Sequence, residues 1–144
     1  NFWITRPQGQ SPTTGTKLMI SYVTIGTNDL EGSAKYFDEV LAVLGATRAH
    51  VTDNFISWSV ESGGAMLSLN KPYDGNVGTV GNGVMIALAA SSPELVDAVH
   101  KKALECGGKD EGAPGPRGTP GNYYAYFRDL DGNKICAACF GSGD

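Results

Sequence analysis

The fold of this chain is decided by the stretch from Tyr123 to Cys136, YYAYFRDLDGNKIC, near the C-terminus. Aromatic and apolar residues stand on both sides of Asp-Leu-Asp-Gly-Asn, and Asp, Gly and Asn accommodate the backbone of tight turns. The stretch therefore predicts a β-hairpin, whose second strand continues through Phe140. We expect the rest of the chain to supply the other walls of a cup that this hairpin closes.

The composition is that of a globular protein with a substantial core. The chain has 144 residues, of which 41% are hydrophobic and 18% charged, which fits one domain or two small fused modules. A net charge of -4 disfavours nucleic acid and anionic membrane surfaces as partners. No apolar run reaches the roughly 20 residues of a membrane-spanning helix. The three cysteines cannot all pair with one another, so we expect reduced thiols in a cytoplasmic protein.

An internal repeat extends this pattern to the whole chain. Residues 22–46 and 85–108 each show a strand, a capped helix and a glycine stop, and further strands follow each of them. The sequence thus predicts an α+β fold of tandem βαβββ modules, which form a curved mixed sheet with the helices on its outer face. The predicted divisions are an N-terminal arm or expression-derived extension (1–17), a first module (18–70), a linker (71–82) and a second module (83–140).

Some local features are less regular. Asn28 or Asp29 is expected to cap the first helix, and Ser92 the second. Residues 112–122, rich in Pro and Gly, indicate a mobile loop after a short strand at 109–112. His100 lies beside two lysines and is expected on a solvated helix face.

The order of these elements resembles a known family. Together with NDLEGSAKYF at 28–37, GGKDEGAPG at 107–115 and DLDGNKI at 129–135, it resembles the vicinal oxygen chelate superfamily over residues 18–140. This superfamily contains glyoxalase I, bleomycin-resistance proteins and extradiol dioxygenases, and the resemblance is to its glyoxalase-like bacterial branch. It implies a homodimer, in which modules can be exchanged between chains with the linker as hinge.

The resemblance also locates the positions that hold a metal in some members, on the first and last strands of each module. They fall on Tyr22, Met85, Cys136 and either Leu67 or Ser68. None is a histidine or carboxylate, the ligands that Mg²⁺, Mn²⁺ and Fe²⁺ prefer. We therefore expect an apolar cup without a metal or other cofactor, and a divalent metal only if this register is wrong.

Aromatic and polar residues around these positions suggest a small-molecule site, since tyrosines combine an apolar ring with an orienting hydroxyl. Arg117 could clamp an anion, and His50 could exchange protons near neutral pH. A free cysteine such as Cys136 more often acts as a small buried hydrophobe than as a nucleophile. The expected cup-facing residues are Tyr22, Thr24, His50, Trp58, Met85, Arg117, Tyr124, Tyr126 and Cys136.

Three functions remain open at this point, and no catalytic residue is assigned. The leading hypothesis is a protein that binds a small, partly apolar molecule in an aromatic cup without a metal. A metal-dependent isomerase or lyase like lactoylglutathione lyase predicts His50, or a carboxylate such as Glu61 or Glu111, in the cup. A bleomycin-type drug-binding resistance protein predicts an acidic groove at a dimer interface.

Overall fold

The structure is a computed structural model and describes residues 18–141. The expected N-terminal arm lies outside the described residues. Within them, no helix is long and apolar enough to cross a membrane. The elements are β1 Tyr22–Gly26, α1 Leu30–Ala42, β2 Thr47–Val51, β3 Phe55–Ser59, β4 Met66–Asn70, β5 Ile86–Ala89, α2 Pro93–Glu105, β6 Lys109–Pro116, β7 Tyr123–Arg128 and β8 Lys134–Cys139.

Two four-stranded mixed sheets confirm the α+β class and the repeated βαβββ order. Their strand orders are β1-β4-β3-β2 and β5-β8-β7-β6, and the first strand of each is parallel to its neighbour. The curved surface expected from the sequence is thus divided between two sheets, because no strand of one sheet contacts a strand of the other among the described elements. The modules meet where α1 contacts α2, and each helix also packs on its own sheet.

Both helices begin at capping residues that satisfy free backbone N–H groups. The Asp29 carboxylate accepts from the Gly32 N–H at 3.1 Å, and the Ser92 hydroxyl from the Leu95 N–H at 3.2 Å. Of the two caps expected for α1, the structure thus selects Asp29.

The core lies between each sheet and its helix and forms one continuous cluster. Phe37 and Val40 of α1 and Val96 and Val99 of α2 are fully buried there. His100 is also buried, so its expected place on a solvated face is wrong. Its Nε2 lies 3.0 Å from Asp110 Oδ1 of β6, which gives this polar ring a partner inside the protein.

The glycine- and proline-rich segment after α2 is more ordered than expected. β6 continues to Pro116 and pairs with β7, although its register shifts on both sides of Gly112. Such a strand tolerates Pro and Gly because it lies at the sheet edge, where one side of the backbone needs no partner. Only the end of the expected loop connects β6 to β7.

The turn of the hairpin joins the two modules. Asp131 Oδ1 accepts from the Asn28 N–H at 2.9 Å, and its Oδ2 accepts from the Ser33 hydroxyl at 3.2 Å. Asn133 donates to the carbonyl of Gly26 at 3.0 Å. The second module thereby supplies a negative charge and two acceptors at the N-terminus of α1, where a carboxylate is stabilising.

Candidate functional site

Each sheet has one face covered by its helix and an opposite face, which we call its open face. Strand alternation and pairing determine which side chains lie there. The first open face carries the polar residues Thr24, His50, Ser57, Ser68 and Asn70 together with Tyr22, Phe55 and Met66. The second open face carries Ala87, Tyr124, Tyr126, Arg128, Lys134 and Cys136. The expected cup residues therefore separate into two groups on two sheets.

The first open face is mainly polar. His50 Nδ1 lies 3.1 Å from the Ser57 hydroxyl, and the Ser68 hydroxyl donates to Asn70 Oδ1 at 2.6 Å. Tyr22 and Thr24 are exposed at its edge strand. This face offers hydroxyl, amide and imidazole groups to a ligand.

The second open face is aromatic and cationic. Arg117 Cζ lies 5.9 Å and Lys134 Nζ 5.5 Å from the centre of the Tyr126 ring, both within cation–π range. Beside them, the Tyr124 hydroxyl accepts from the Asn122 amide at 3.0 Å. Three of the expected residues, Arg117, Tyr124 and Tyr126, are thus brought together.

Two glycines of β6 make room for this arrangement. A Cβ on Gly112 would stand 2.9 Å from a ring carbon of Tyr126, and one on Gly115 would stand 2.9 Å from Arg117 Nη1. The Tyr126 ring can therefore lie over β6 only because Gly112 has no side chain, and the absence of one at Gly115 leaves room for the flexible end of Arg117. Arg117 is also anchored, since it donates to the carbonyls of Ala113 at 2.7 Å and Pro116 at 3.1 Å.

Cys136 lies on β8 opposite Tyr126 and is only 2% exposed. Burial raises the pKa of its thiol, and the positive charges of Lys134 and Arg117 offset this shift only in part. Because the thiolate is the nucleophilic form, the thiol here acts as a small hydrophobic floor of the face.

The expectation that Trp58 faces the cup is wrong. Its side chain lies on the helix-covered face, where it is 2% exposed and its ring centre is 5.7 Å from that of Phe37. The indole N–H donates to Asp38 Oδ1 at 2.9 Å, and Arg48 binds the same carboxylate through two hydrogen bonds. Trp58 therefore belongs to the core under α1.

The four positions that the resemblance assigns to a metal do not supply ligands for a hard divalent ion. Leu67 points into the core, so Ser68 is the open-face position of β4. Met85 lies just before β5, is 44% exposed, and is out of phase with the core residue Ile86. The four positions therefore provide the hydroxyl of Ser68, the phenol of Tyr22, the thioether of Met85 and the thiol of Cys136. Among residues 18–141, no three His, Cys, Asp or Glu side chains converge as a metal site would require.

Of the two carboxylates named for the enzyme alternative, one is an ion-pair partner at the second open face and the other is an exposed turn residue. Glu111 accepts from Arg128 Nε at 2.9 Å, which lowers the pKa of Glu111, and Glu61 is exposed in the turn after β3. His50 does lie on an open face.

A shallow depression of about 580 Å³ elsewhere is lined by Asp29, Arg48 and Lys71, among others, and contains none of the expected cup residues.

Lys134, Gly112 and Gly115 were not among the expected site residues. Lys134 could have been found from the sequence, because it stands two residues before Cys136 on the same predicted strand. The glycines carry no such signal, since their role depends on side chains that approach from β7 and its loop.

Comparisons with known proteins agree with this fold. The profile of the Glyoxalase/Bleomycin resistance protein/Dioxygenase superfamily matches residues 19–137, and the chain belongs to this superfamily. It is 38% identical to a glyoxalase/bleomycin resistance protein from Albidiferax ferrireducens T118, over 84% of this chain and 98% of that one, with a TM-score of 0.77.

More distant structures share the fold alone. Lactoylglutathione lyase from Agrobacterium tumefaciens is 18% identical, with a TM-score of 0.62 over 90% of this chain and 95% of its own. The fosfomycin resistance protein FosX from Listeria monocytogenes is 14% identical, with a TM-score of 0.63 over 86% and 94%. No curated protein gives a significant match to the sequence.

Proposed function

We propose that this protein binds a small, partly apolar molecule between an aromatic and a polar sheet face, and that it does so without a metal ion. The observation that carries the proposal is the second open face. There two tyrosines stand beside anchored polar groups over a floor formed by Cys136 and Ala87. Apolar rings with a few fixed polar groups are the usual lining of small-molecule sites.

Independence from metal is proposed from the chemistry of the donors. The thiol of Cys136 is kept protonated by burial, and metals bind the thiolate form. The phenol, hydroxyl and thioether of Tyr22, Ser68 and Met85 are poor ligands for Mg²⁺, Mn²⁺ or Fe²⁺. Binding by this lining therefore rests on apolar contact and hydrogen bonds.

A second copy of the chain is proposed to close the cup. Within one chain the two open faces do not contact each other, and exposed apolar residues flank both: Leu18, Met19, Ile20, Tyr22, Val84 and Met85. Apolar surface that is contiguous and exposed is typical of interfaces. Light scattering should give the mass of two chains, and a mass of one chain would contradict this part of the proposal.

The test of metal-independent binding compares metal-free and metal-loaded protein. After chelation and elemental analysis, thermal shift should detect the same stabilising compounds in a screen of thiol conjugates, aromatic diols and cationic antibiotics, because a ligand of the folded state raises its stability. Tyr126→Ala should abolish the thermal shifts caused by these compounds. The control is Tyr73→Ala, which removes a tyrosine that is 99% exposed in the segment between the two modules. A stoichiometric metal bound at Tyr22, Met85 and Cys136 would refute the proposal.

A lyase is the second candidate, and the observation that favours it is His50, half-buried on the first open face and close to Ser57. An imidazole there is able to move a proton of a bound substrate. Turnover of a glutathione hemithioacetal that is lost in His50→Gln would support this candidate. If the wild type shows no turnover and His50→Gln binds small molecules as the wild type does, the metal-free binding protein remains as the proposed function.

A further inference from the structure

We propose that the second open face selects anionic ligands, namely a carboxylate or a phosphonate attached to a flat apolar group. Arg117 and Lys134 would bind the oxyanion and Tyr126 the flat group. This inference rests on the proposed small-molecule site and specifies the class of ligand.

The first argument is the convergence of two cations at one aromatic ring. Arg117 comes from the end of β6 and Lys134 from β8, yet both lie within 6 Å of the centre of the Tyr126 ring, at 5.9 and 5.5 Å. Both charges also act on the buried thiol of Cys136. Both cations therefore lie beside the same aromatic ring and the same thiol of the second open face.

The second argument is that neither cation has an ion-pair partner in the described part of the chain, although Glu111, whose pKa is lowered first by its hydrogen bond to Arg128, also feels the charge of Lys134. Among residues 18–141, neither Arg117 nor Lys134 makes an ion pair, whereas the third cation of the face, Arg128, is paired with Glu111. The face thus has an excess of positive charge in a chain whose net charge is -4. A local cluster of positive charge on a protein of negative net charge attracts anionic ligands to that place.

The third argument is that the guanidinium of Arg117 is already held in place. Two backbone carbonyls, those of Ala113 and Pro116, fix its position, and the absent side chain of Gly115 lets it lie close to β6. A guanidinium has five N–H donors, so several stay free for the paired oxygens of an oxyanion. A group held in its binding position loses little entropy when the ligand arrives.

The same geometry opposes a cationic ligand. A cationic drug bound at this face would bring its charge close to Arg117 and Lys134, and like charges at short distance repel. The acidic groove expected for a bleomycin-type protein is not what this face presents.

The experiment uses four probes that share a benzene ring: benzoate, phenylphosphonate, neutral benzamide and cationic benzamidine. Each is titrated into the full chain, and the amide NMR signals of Tyr124, Tyr126 and Cys136 report binding at the face. We expect benzoate and phenylphosphonate to bind at least about tenfold more tightly than benzamide, because each hydrogen bond between charged groups is a strong one. Benzamidine should not bind, and added salt should weaken only the anions.

The variants Arg117→Gln and Lys134→Gln should each weaken benzoate about tenfold or more and leave benzamide unchanged. Lys101→Gln, which removes an exposed lysine of α2, is the matched control and should change nothing. Because Arg117 also holds its own loop, Lys134→Gln tests the inference independently if the other variant does not fold. Unchanged benzoate affinity in Lys134→Gln would overturn the inference.

The remaining outcomes separate the two proposals. If benzamide binds as tightly as benzoate and shifts the same signals, or if benzamidine binds most tightly, the anion selectivity is wrong and the small-molecule site stands. If no probe shifts these signals, the anion selectivity is refuted, and the small-molecule site is refuted as well only if the thermal-shift screen also finds no stabilising compound.

Discussion

Replacement of Tyr36 by Phe is expected to stabilise the protein. Tyr36 of α1 is 3% exposed, and its hydroxyl is buried without a hydrogen-bond partner within residues 18–141. A buried polar group that lacks a partner costs about 1–3 kcal/mol. The ring itself contributes through its edge-to-face contact with Phe37 at 5.2 Å, which Phe would keep. Tyr36→Phe should therefore raise the free energy of unfolding by about 1 kcal/mol and Tm by roughly 4 °C.

Urea denaturation and calorimetry measure this change, and pH gives a second readout. Burial, followed by the charge of Asp129, raises the pKa of Tyr36 well above 10.0. When the folded pKa of a phenol lies above its unfolded pKa, the free energy of unfolding is constant below the unfolded pKa and falls as pH rises from there toward the folded pKa. The wild type should thus lose stability above about pH 10, and Tyr36→Phe should lose less.

Tyr123→Phe is the control, because its hydroxyl donates to Asp97 at 2.7 Å and its removal should not stabilise. An equal or lower stability of Tyr36→Phe would refute the reasoning and would place a bonding partner, such as an internal water, at the hydroxyl.

Two further predictions concern polar contacts of α1. Asp131→Ala should lower the free energy of unfolding by about 2 kcal/mol, because it removes the acceptors of Asn28 and Ser33. Asp131→Asn keeps one acceptor and should lower the free energy of unfolding by less. Equal urea midpoints for the wild type and both variants would contradict this prediction. The hydrogen bonds from Arg48 lower the pKa of Asp38, so their contribution is present above the unfolded pKa of about 4 and is lost as pH falls through the folded value. Arg48→Gln should flatten this acid-side loss in urea titrations between about pH 6 and pH 2, and an unchanged slope would show that the pair does not contribute.

Much of the fold follows from local sequence signals. Ser92 and Pro93 specify where α2 begins, and the period-2 pattern of β7 separates Tyr124 and Tyr126 from Ala125 and Phe127. These signals involve neighbours in the chain, so they do not depend on tertiary packing. The hairpin and both βαβββ units were predictable for this reason.

Other features depend on contacts that are distant in sequence. The alternation of β3 shows that Trp58 and Ser57 face opposite ways, but it does not tell which face α1 covers. His100 is buried because Asp110 comes from the next strand to meet it, and the neighbouring lysines gave the opposite indication. The division of the cup between two sheets likewise follows from how α1 and α2 pack, which no single stretch encodes.

The contact between the hairpin turn and α1 has a consequence during synthesis on the ribosome. Asp131 lies 103 residues after Asn28 and accepts a hydrogen bond from its backbone N–H. At about 5–20 residues per second, roughly 5 to 20 seconds pass between the synthesis of the two residues. Once Asn70 has been made, the first module is complete in sequence, yet until Asp131 follows it lacks the carboxylate that binds Asn28 and Ser33. The nascent first module is therefore held together less tightly than the same residues in the finished chain, and the last hairpin to emerge completes a helix made near the start of translation.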